Sequence, residues 1–412
     1  MKLFVLAAIA LLVLIGAVFG ITRCVGAMAD GSAASSQEAE SESAQAAAPE
    51  LPGTRVSFIA VGDNVPNDEI ATYADKFAGS MWDGTYDYRP LFMHVKSLIS
   101  EADLAYIDQE THVGGDEFGP RGYPSFNTTD EMADAVVDAG FDLVASATNH
   151  SYDWGYYGAI DHSREVWNNL PVAFTGTARS WEEAGEIPVV ERKGITFALL
   201  NYTYGVNGYT RDEIPGYAVN FIDEDRIRTD VARAKGTADV VIVAMHWGTE
   251  NETVPDGDEL YYAQLLADLD VDIVLGSQPH VIQPMTWLAG EGGNKTLVCY
   301  SLGNFIIQHA DPTPYNDQEG MLSCTFVRHD EEGGDGSITV EDVKWIPLVY
   351  HGTEDEYAVW PLADYPESLA ATNLAYEGID DPRAWLYRET DRIVNAYGDG
   401  FEIVGMPTDG QS

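Results

Sequence analysis

Seven times between residues 55 and 304 the sequence gathers Val, Ile and Leu into a short run, and nearly every run ends on a polar side chain. The runs are RVSFIAVGD (55–63), DLAYIDQE (103–110), DLVASATNH (142–150), ITFALLNYT (195–203), DVVIVAMHWG (239–248), VDIVLGSQPH (271–280) and TLVCYSLGN (296–304). Amphipathic segments separate them: 90–102, 129–140, 158–170, 223–236 and 258–270, with Thr129 as a predicted cap and Gly140 and Gly236 where helices would stop. Strand-length runs alternating with helical periodicity predict an α/β architecture whose helices cover a mostly parallel sheet. After Gly303 the pattern changes to antiparallel-looking segments, 321–329 and 337–350, which predict a second sheet packed on the first, and a closing helix follows Ala371.

The polar residues are not scattered. They fall at the carboxyl ends of the runs: Asp63 and Asn64, Asp108 and Glu110, Asn149 and His150, His246 with Glu250, Gln278 and His280, Ser301 and Asn304. In open α/β sheets that edge is where ligands bind, because loops and helix N-termini converge there. Carboxylates, an amide oxygen and neutral imidazoles together match the ligand set of a hydrolytic divalent-metal site. Taken singly each has a plainer role: Asp63 could cap a turn, His150 could close its loop by bonding Asp153, and His246 could be a satisfied core residue. Agreement among five or more strand ends favours a common site.

The ends of the chain add topology. Residues 4–22 are an uncharged apolar run behind Lys2, long enough to span a bilayer, so residues 1–26 predict a signal anchor. A cleavable signal peptide, the alternative, ordinarily has a shorter core before a small-residue cleavage site, whereas here Arg23 follows. Residues 27–53 are rich in Ala, Ser and Glu and predict a disordered stalk, leaving 54–412 as the folded domain. The reading is a single-pass protein of the cell membrane with its domain on the extracytoplasmic side. With 22 basic against 67 acidic residues, a formal charge of −45, nucleic acid is excluded as a partner. Cys299 and Cys324 lie in strand-like runs, and the sequence leaves open whether they pair or stay as buried thiols.

The succession VGDN (61–64), ADLAYIDQE (102–110), ATNHSYDWG (147–155), HWGTE (246–250), GSQPHVIQP (276–284) and YSLGNF (300–305) resembles the CapA-type poly-γ-glutamate capsule biosynthesis proteins, themselves similar to calcineurin-type metallophosphatases. The resemblance implies a two-sheet α/β/β/α sandwich of the metallophosphatase-like type. It implies Asp63, Glu110, Asn149, His246 and His280 as metal ligands, and His150 with Asp153 as the catalytic pair. Asn64, Asp108, Arg121, Glu250, Gln278, Ser301 and Asn304 are the expected substrate contacts. Two histidines of the phosphatase pattern are replaced, by Val65 and Gln278, so one tightly bound ion, Mn²⁺ or Zn²⁺, is expected rather than a full pair. The implied partners are an anionic capsule polymer or envelope substrate and membrane synthase or export subunits. The rival functions are a metal-dependent phosphoesterase or amide hydrolase and a non-catalytic scaffold; metal content separates the scaffold from the others.

Overall fold

The computed structural model describes residues 53–307, 312–330, 336–353 and 356–406. The predicted anchor and almost all of the predicted stalk lie outside the described residues, and among those described no helix is long and apolar enough to cross a membrane. Each of the seven expected apolar runs contains a strand: β1 (Thr54–Val65), β2 (Leu104–Asp108), β3 (Leu143–Ala145), β6 (Ile195–Thr203), β7 (Val240–His246), β8 (Ile273–Ser277) and β10 (Lys295–Cys299); β4 (Ala173–Thr175), β5 (Val189–Arg192) and β9 (Met285–Ala289) are three strands not among those runs. Beyond them come β11 (Asn304–Ile307), β12 (Gln318–Arg328), β13 (Ile338–Gly352), β14 (Tyr357–Pro361) and β15 (Glu402–Ile403).

These strands form two sheets. The first runs β14-β13-β12-β1-β2-β3-β4, with β11 also on β1 and β15 on β13; the second runs β5-β6-β7-β8-β10-β9. Strands β1 to β4 are mutually parallel, as are β6, β7, β8 and β10. The late antiparallel segments therefore do not make the second sheet: β12 pairs with β1 and extends the first, while the second is built from residues 189–299. Periodicity shows which face of a strand is buried but not which neighbour it pairs with, and that is why the sequence misassigned them.

Alternation along the strands makes the layers. Phe58, Leu104, Tyr106 and Leu143 of the first sheet meet Phe197, Ile242, Ile273 and Leu297 of the second in one buried core. The intervening residues Ile59, Val61, Ile107 and Val144 point outward onto Ile99 and Val136 of the covering helices. On the far side Val241, Val243 and Val274 pack on Ile227, Val231 and Leu266. A side-chain period of two thus turns two sheets into a four-layer sandwich.

The helices hold to expectation at 130–139, 224–235 and 257–268, and depart from it elsewhere. The segment 90–102 is broken into a 3₁₀ turn, Arg89–Phe92, and a short helix, Lys96–Glu101. Thr129 holds the N-cap position of its helix without a side-chain capping bond. The segment 158–170 opens as a wide π-helical turn, Tyr156–His162, before becoming α-helical at Ser163. Gly158 packs its bare backbone on Phe118, where a Cβ would come within 2.6 Å of the ring. Such wide turns recur beside functional sites, and this one follows the NHSYDWG loop directly. Both Cys299 and Cys324 are buried free thiols.

Candidate metal centre

The strand register brings the two sheets' carboxyl ends to one place. Gly62 lets β1 pass so close to the loop before β11 that a Cβ there would sit 1.8 Å from the Gly303 carbonyl oxygen, and the Asp63 N–H donates to that same oxygen at 3.0 Å. Gly276 makes an equally close approach to the Tyr300 carbonyl. The glycines of VGDN and LGSQPH are there for backbone contact, which draws Asp63 and the β8 loop together.

Asp63, Asp108, Glu110 and His246 are all at or near zero exposure. His246 Nδ1 lies 3.1 Å from Asp108 Oδ2 and 3.0 Å from Ser277 Oγ, while its Nε2 lies 3.0 Å from Asn149 Oδ1 and 3.8 Å from Glu110 Oε1. His280 Nδ1 lies 3.1 Å from Asp63 Oδ2 and 3.0 Å from Asn304 Oδ1, with Nε2 3.9 Å from Glu110 Oε1. The Gln278 N–H donates to Asp63 Oδ2 at 3.1 Å. His150 Nδ1 meets Asp153 Oδ2 at 2.6 Å and its Nε2 stands 3.9 Å from Glu110 Oε1. Asp153 also accepts the Phe126 N–H at 2.7 Å, and the Phe126 ring sits edge-on to His150, so the imidazole is held from both sides.

Among the described residues two groups have metal-ligating geometry, each with its candidate ligand atoms within 4.8 Å of one another: Asp63, Asp108 and His246, and Asp63, Glu110 and His280. Asp63 is common to both. Both Glu110 oxygens and Asp108 Oδ1 are buried without a hydrogen-bond partner. An unsatisfied buried carboxylate oxygen is costly unless something cationic meets it, so this donor set fits a divalent ion. The electrostatics agree. Burial raises the Asp63 carboxyl, but the His280 hydrogen bond and the nearby imidazoles outweigh this and hold it below its usual value. Burial, reinforced by the charge of Asp63, holds Asp108 and Glu110 above theirs. Burial would lower the His280 imidazole, yet Glu110 and Asp63 pull its pKa up to about 10. Three carboxylates share too little positive charge, which is the condition that favours a cation.

Backbone strain marks the same place. Gln278, His280 and Asn251 are non-glycine residues at positive φ, 93°, 59° and 64°, a conformation that persists where surrounding structure enforces it.

The structure thus brings Asp63, Glu110, Asn149, His150, Asp153, His246 and His280 together from loops spread over the sequence. Among the expected substrate contacts, only Glu250 lines the cleft above them. Asp108 is a buried partner of His246, in the ligand groups rather than in contact with a substrate. Asn64 is fully buried and donates to Gln109 Oε1 at 2.8 Å. Gln278 is buried and donates its side-chain amide to the Gly248 carbonyl. Ser301 Oγ accepts the Gly303 N–H, and Asn304 anchors His280 by ring and backbone at once. Arg121 is exposed, in a backbone ladder with Asn127, and is absent from the cleft lining. Strand ends are a polar address, but a residue there points either into the cleft or back into the loops that shape it. Sequence reasoning missed Asn207, whose amide donates to His150 Nε2 at 3.4 Å, and Asn251, Asn316 and Tyr315 of the cleft wall. None stands at a strand's carboxyl end, so no periodic signal marks them.

Residues 57–309, more than half of the chain, match the family of the bacterial capsule synthesis protein PGA_cap. The chain belongs to that family. It is 31% identical over 182 residues to the PGA biosynthesis protein CapA of Bacillus subtilis (strain 168), covering 43% of this chain and 46% of that protein. It is 27% identical over 183 residues to the capsule biosynthesis protein CapA of Bacillus anthracis, covering 43% of each. The alignments thus span about half the length of the curated relatives. Among solved structures, a phosphatase from Mycoplasma pneumoniae aligns with a TM-score of 0.44 at 13% identity over 72% of this chain and 95% of that one. The NAD nucleotidase NadN of Haemophilus influenzae aligns with a TM-score of 0.43 at 10% identity over 82% and 67%. Within the PGA_cap family segment lie all the ligand-type residues described above and the His150–Asp153 pair.

Proposed function

We propose that this PGA_cap family member acts on a capsule polymer of the poly-γ-glutamate type, in its synthesis, export or anchoring, from the extracytoplasmic face of the cell membrane, with one tightly held divalent ion, Mn²⁺ or Zn²⁺, at the strand-end cluster. The single observation that carries the reading is the shared position of Asp63 between two carboxylate–imidazole groups whose Glu110 and Asp108 oxygens are buried and unpartnered. Asp63, Asp108, Glu110, Asn149, His246 and His280 would hold the ion. When bound there it would supply Lewis-acid polarisation of a substrate carbonyl or phosphoryl oxygen.

The chain's own groups do the rest. Asn304 and Asp63 fix the His280 ring through Nδ1, and Asp108 with Ser277 fixes His246, so the imidazoles are oriented before any ligand arrives. Asp153 fixes the Nδ1 side of His150, so Nε2, which accepts the Asn207 amide at rest, is the atom that would take up a proton and return it to a group in the cleft. Phe126, Tyr123 and Tyr315 give the cleft an aromatic wall. The second reading, hydrolysis of a phosphodiester in an envelope component, is favoured by the same His150 geometry. Incubating the full chain, loaded with Mn²⁺ or Zn²⁺, with γ-glutamyl oligomers and in parallel with a generic phosphodiester tests both. Metal-dependent binding or cleavage of the oligomers supports the first reading, phosphodiester turnover alone the second, and neither with either ion leaves the scaffold.

A further inference from the structure

The cleft over the metal centre, about 890 Å³, carries Asp68, Glu69, Glu110 and Glu250 in its lining and, among the described residues, no Lys or Arg. A chain of free carboxylates would meet only the imidazoles of His150 and His280 there, apart from a bound ion. The cleft does not end at its rim, however. Asn67, Asp68 and Glu69 belong to the start of the helix Asp68–Ala78, and Glu69 is also a wall of a second cavity of about 310 Å³. That cavity is lined by Glu69, Thr72, Tyr73 and Lys76 together with Met81 and Tyr357. Positions 69, 72, 73 and 76 follow the three-and-four spacing of a single helix face, so one face of this helix is the floor leading from the first cavity into the second. From Glu69 to Lys76 the floor runs roughly 10 Å at the helical rise.

The far cavity differs in character from the near one. Tyr73 lies 5.0 Å from Tyr357 and 4.7 Å from Phe77 between ring centroids, and Met81 is 43% exposed beside them. Lys76 is a cation along a path whose near end carries the four carboxylates of Asp68, Glu69, Glu110 and Glu250. An apolar wall with one ammonium at a fixed distance suits a repeating chain that offers amide and methylene faces and a carboxylate at intervals.

We propose that the two cavities form one binding track. The reacting group of an extended polyamide chain lies over the metal centre, and the far cavity is a remote subsite that grips the same chain roughly 10 Å beyond Glu69 along the helix, a carboxylate meeting Lys76 and the chain's methylene groups packing on Tyr73, Tyr357 and Met81. This rests on the polymer reading above, and deepens it: remote contacts of this kind hold a polymer in register while its reacting bond is positioned.

Isothermal titration of the full chain loaded with Mn²⁺, using a γ-glutamyl dimer and a hexamer, tests the track. The hexamer should bind about tenfold more tightly than the dimer. Lys76→Glu should bring the hexamer down to the dimer's affinity and leave the dimer's unchanged, and Met81→Asp, at an exposed position, should do the same in part. Equal affinity for both lengths, or a length advantage that survives both variants, overturns the track while leaving the metal-cleft reading intact. Failure of both lengths to bind overturns the two together.

Discussion

At the carboxyl ends of β1 and β2, Asp63, Asp108 and Glu110 are buried against three imidazoles; at the start of the adjoining strand β12, Glu319 and the preceding Asp317 are also buried and have none among the described residues. Val61 pairs with Met321, so Asp63 and Glu319 stand two residues beyond the same rung, one strand apart. Their chemistry diverges all the same. Asp63 keeps its charge because His280 more than repays the cost of burial. Burial, against an Asn373 hydrogen bond, pushes the Asp317 carboxyl up to about 7, and burial reinforced by the charges of Asp317 and Asp63 pushes Glu319 well above the carboxylate range; both Glu319 oxygens have no hydrogen-bond partner. Burial by itself turns a carboxylate into a neutral acid; burial beside imidazoles leaves it anionic and able to bind a cation. The histidines contributed by the second sheet are what separate a metal centre from a pair of protonated core acids.

The largest expected effect removes the residue common to both ligand groups. Asp63→Asn should lower Mn²⁺ or Zn²⁺ affinity by about 100-fold or more, read by titration calorimetry, since every candidate coordination shell loses a charged oxygen. A loss of less than threefold would put the cation elsewhere. Next come the two imidazoles, which separate ligation from packing. His280→Ala should cost about 10-fold to 100-fold in metal affinity and less stability than the His246 variant, because the ring is partly exposed and water can reach the Asp63 carboxylate that it leaves behind. His246→Ala should cost similar affinity and also about 3 kcal/mol of stability, because it strands the buried Asp108 carboxyl. Comparable melting curves for the two variants would erase that distinction.

The β12 acids supply the contrasting arm. Asp317 has a folded pKa raised to about 7 above its unfolded value, so the native state holds a proton that the unfolded chain has already lost between about pH 4 and pH 7. Its contribution to stability is therefore fully present below the unfolded pKa and is lost as pH rises through 7. Asp317→Asn should leave metal affinity within about twofold and raise stability at pH 8 by on the order of 2 kcal/mol, with no gain at pH 4. Denaturant unfolding at the two pH values measures it; a metal-affinity loss like that of Asp63→Asn would merge the two clusters into one.

The sequence made the first cluster legible and the second nearly invisible. Asp63, Glu110, Asn149, His150, His246 and His280 were readable because each closes an apolar run, and strand ends converge in a parallel sheet. Whether a strand-end side chain faces the cleft or the loops was not readable, which is why Asn64, Gln278, Ser301 and Asn304 proved to be supports and Asp108 a partner of His246. Asp317 just precedes β12 and Glu319 lies at its start, in a run with no special spacing, and only the pairing of β12 with β1 beside the site gives them meaning. That pairing joins residues more than two hundred positions apart, and local periodicity carries no record of it.

Metal content of the purified full chain, measured by mass spectrometry after incubation with Mn²⁺ and with Zn²⁺ and removal of free ion, tests the central claim most directly. The account predicts about one equivalent of tightly held ion in the wild type, unchanged in Asp317→Asn and almost absent in Asp63→Asn. Equal and negligible metal in all three would contradict it, and would make the cluster of imidazoles and carboxylates a hydrogen-bonded brace between the sheets.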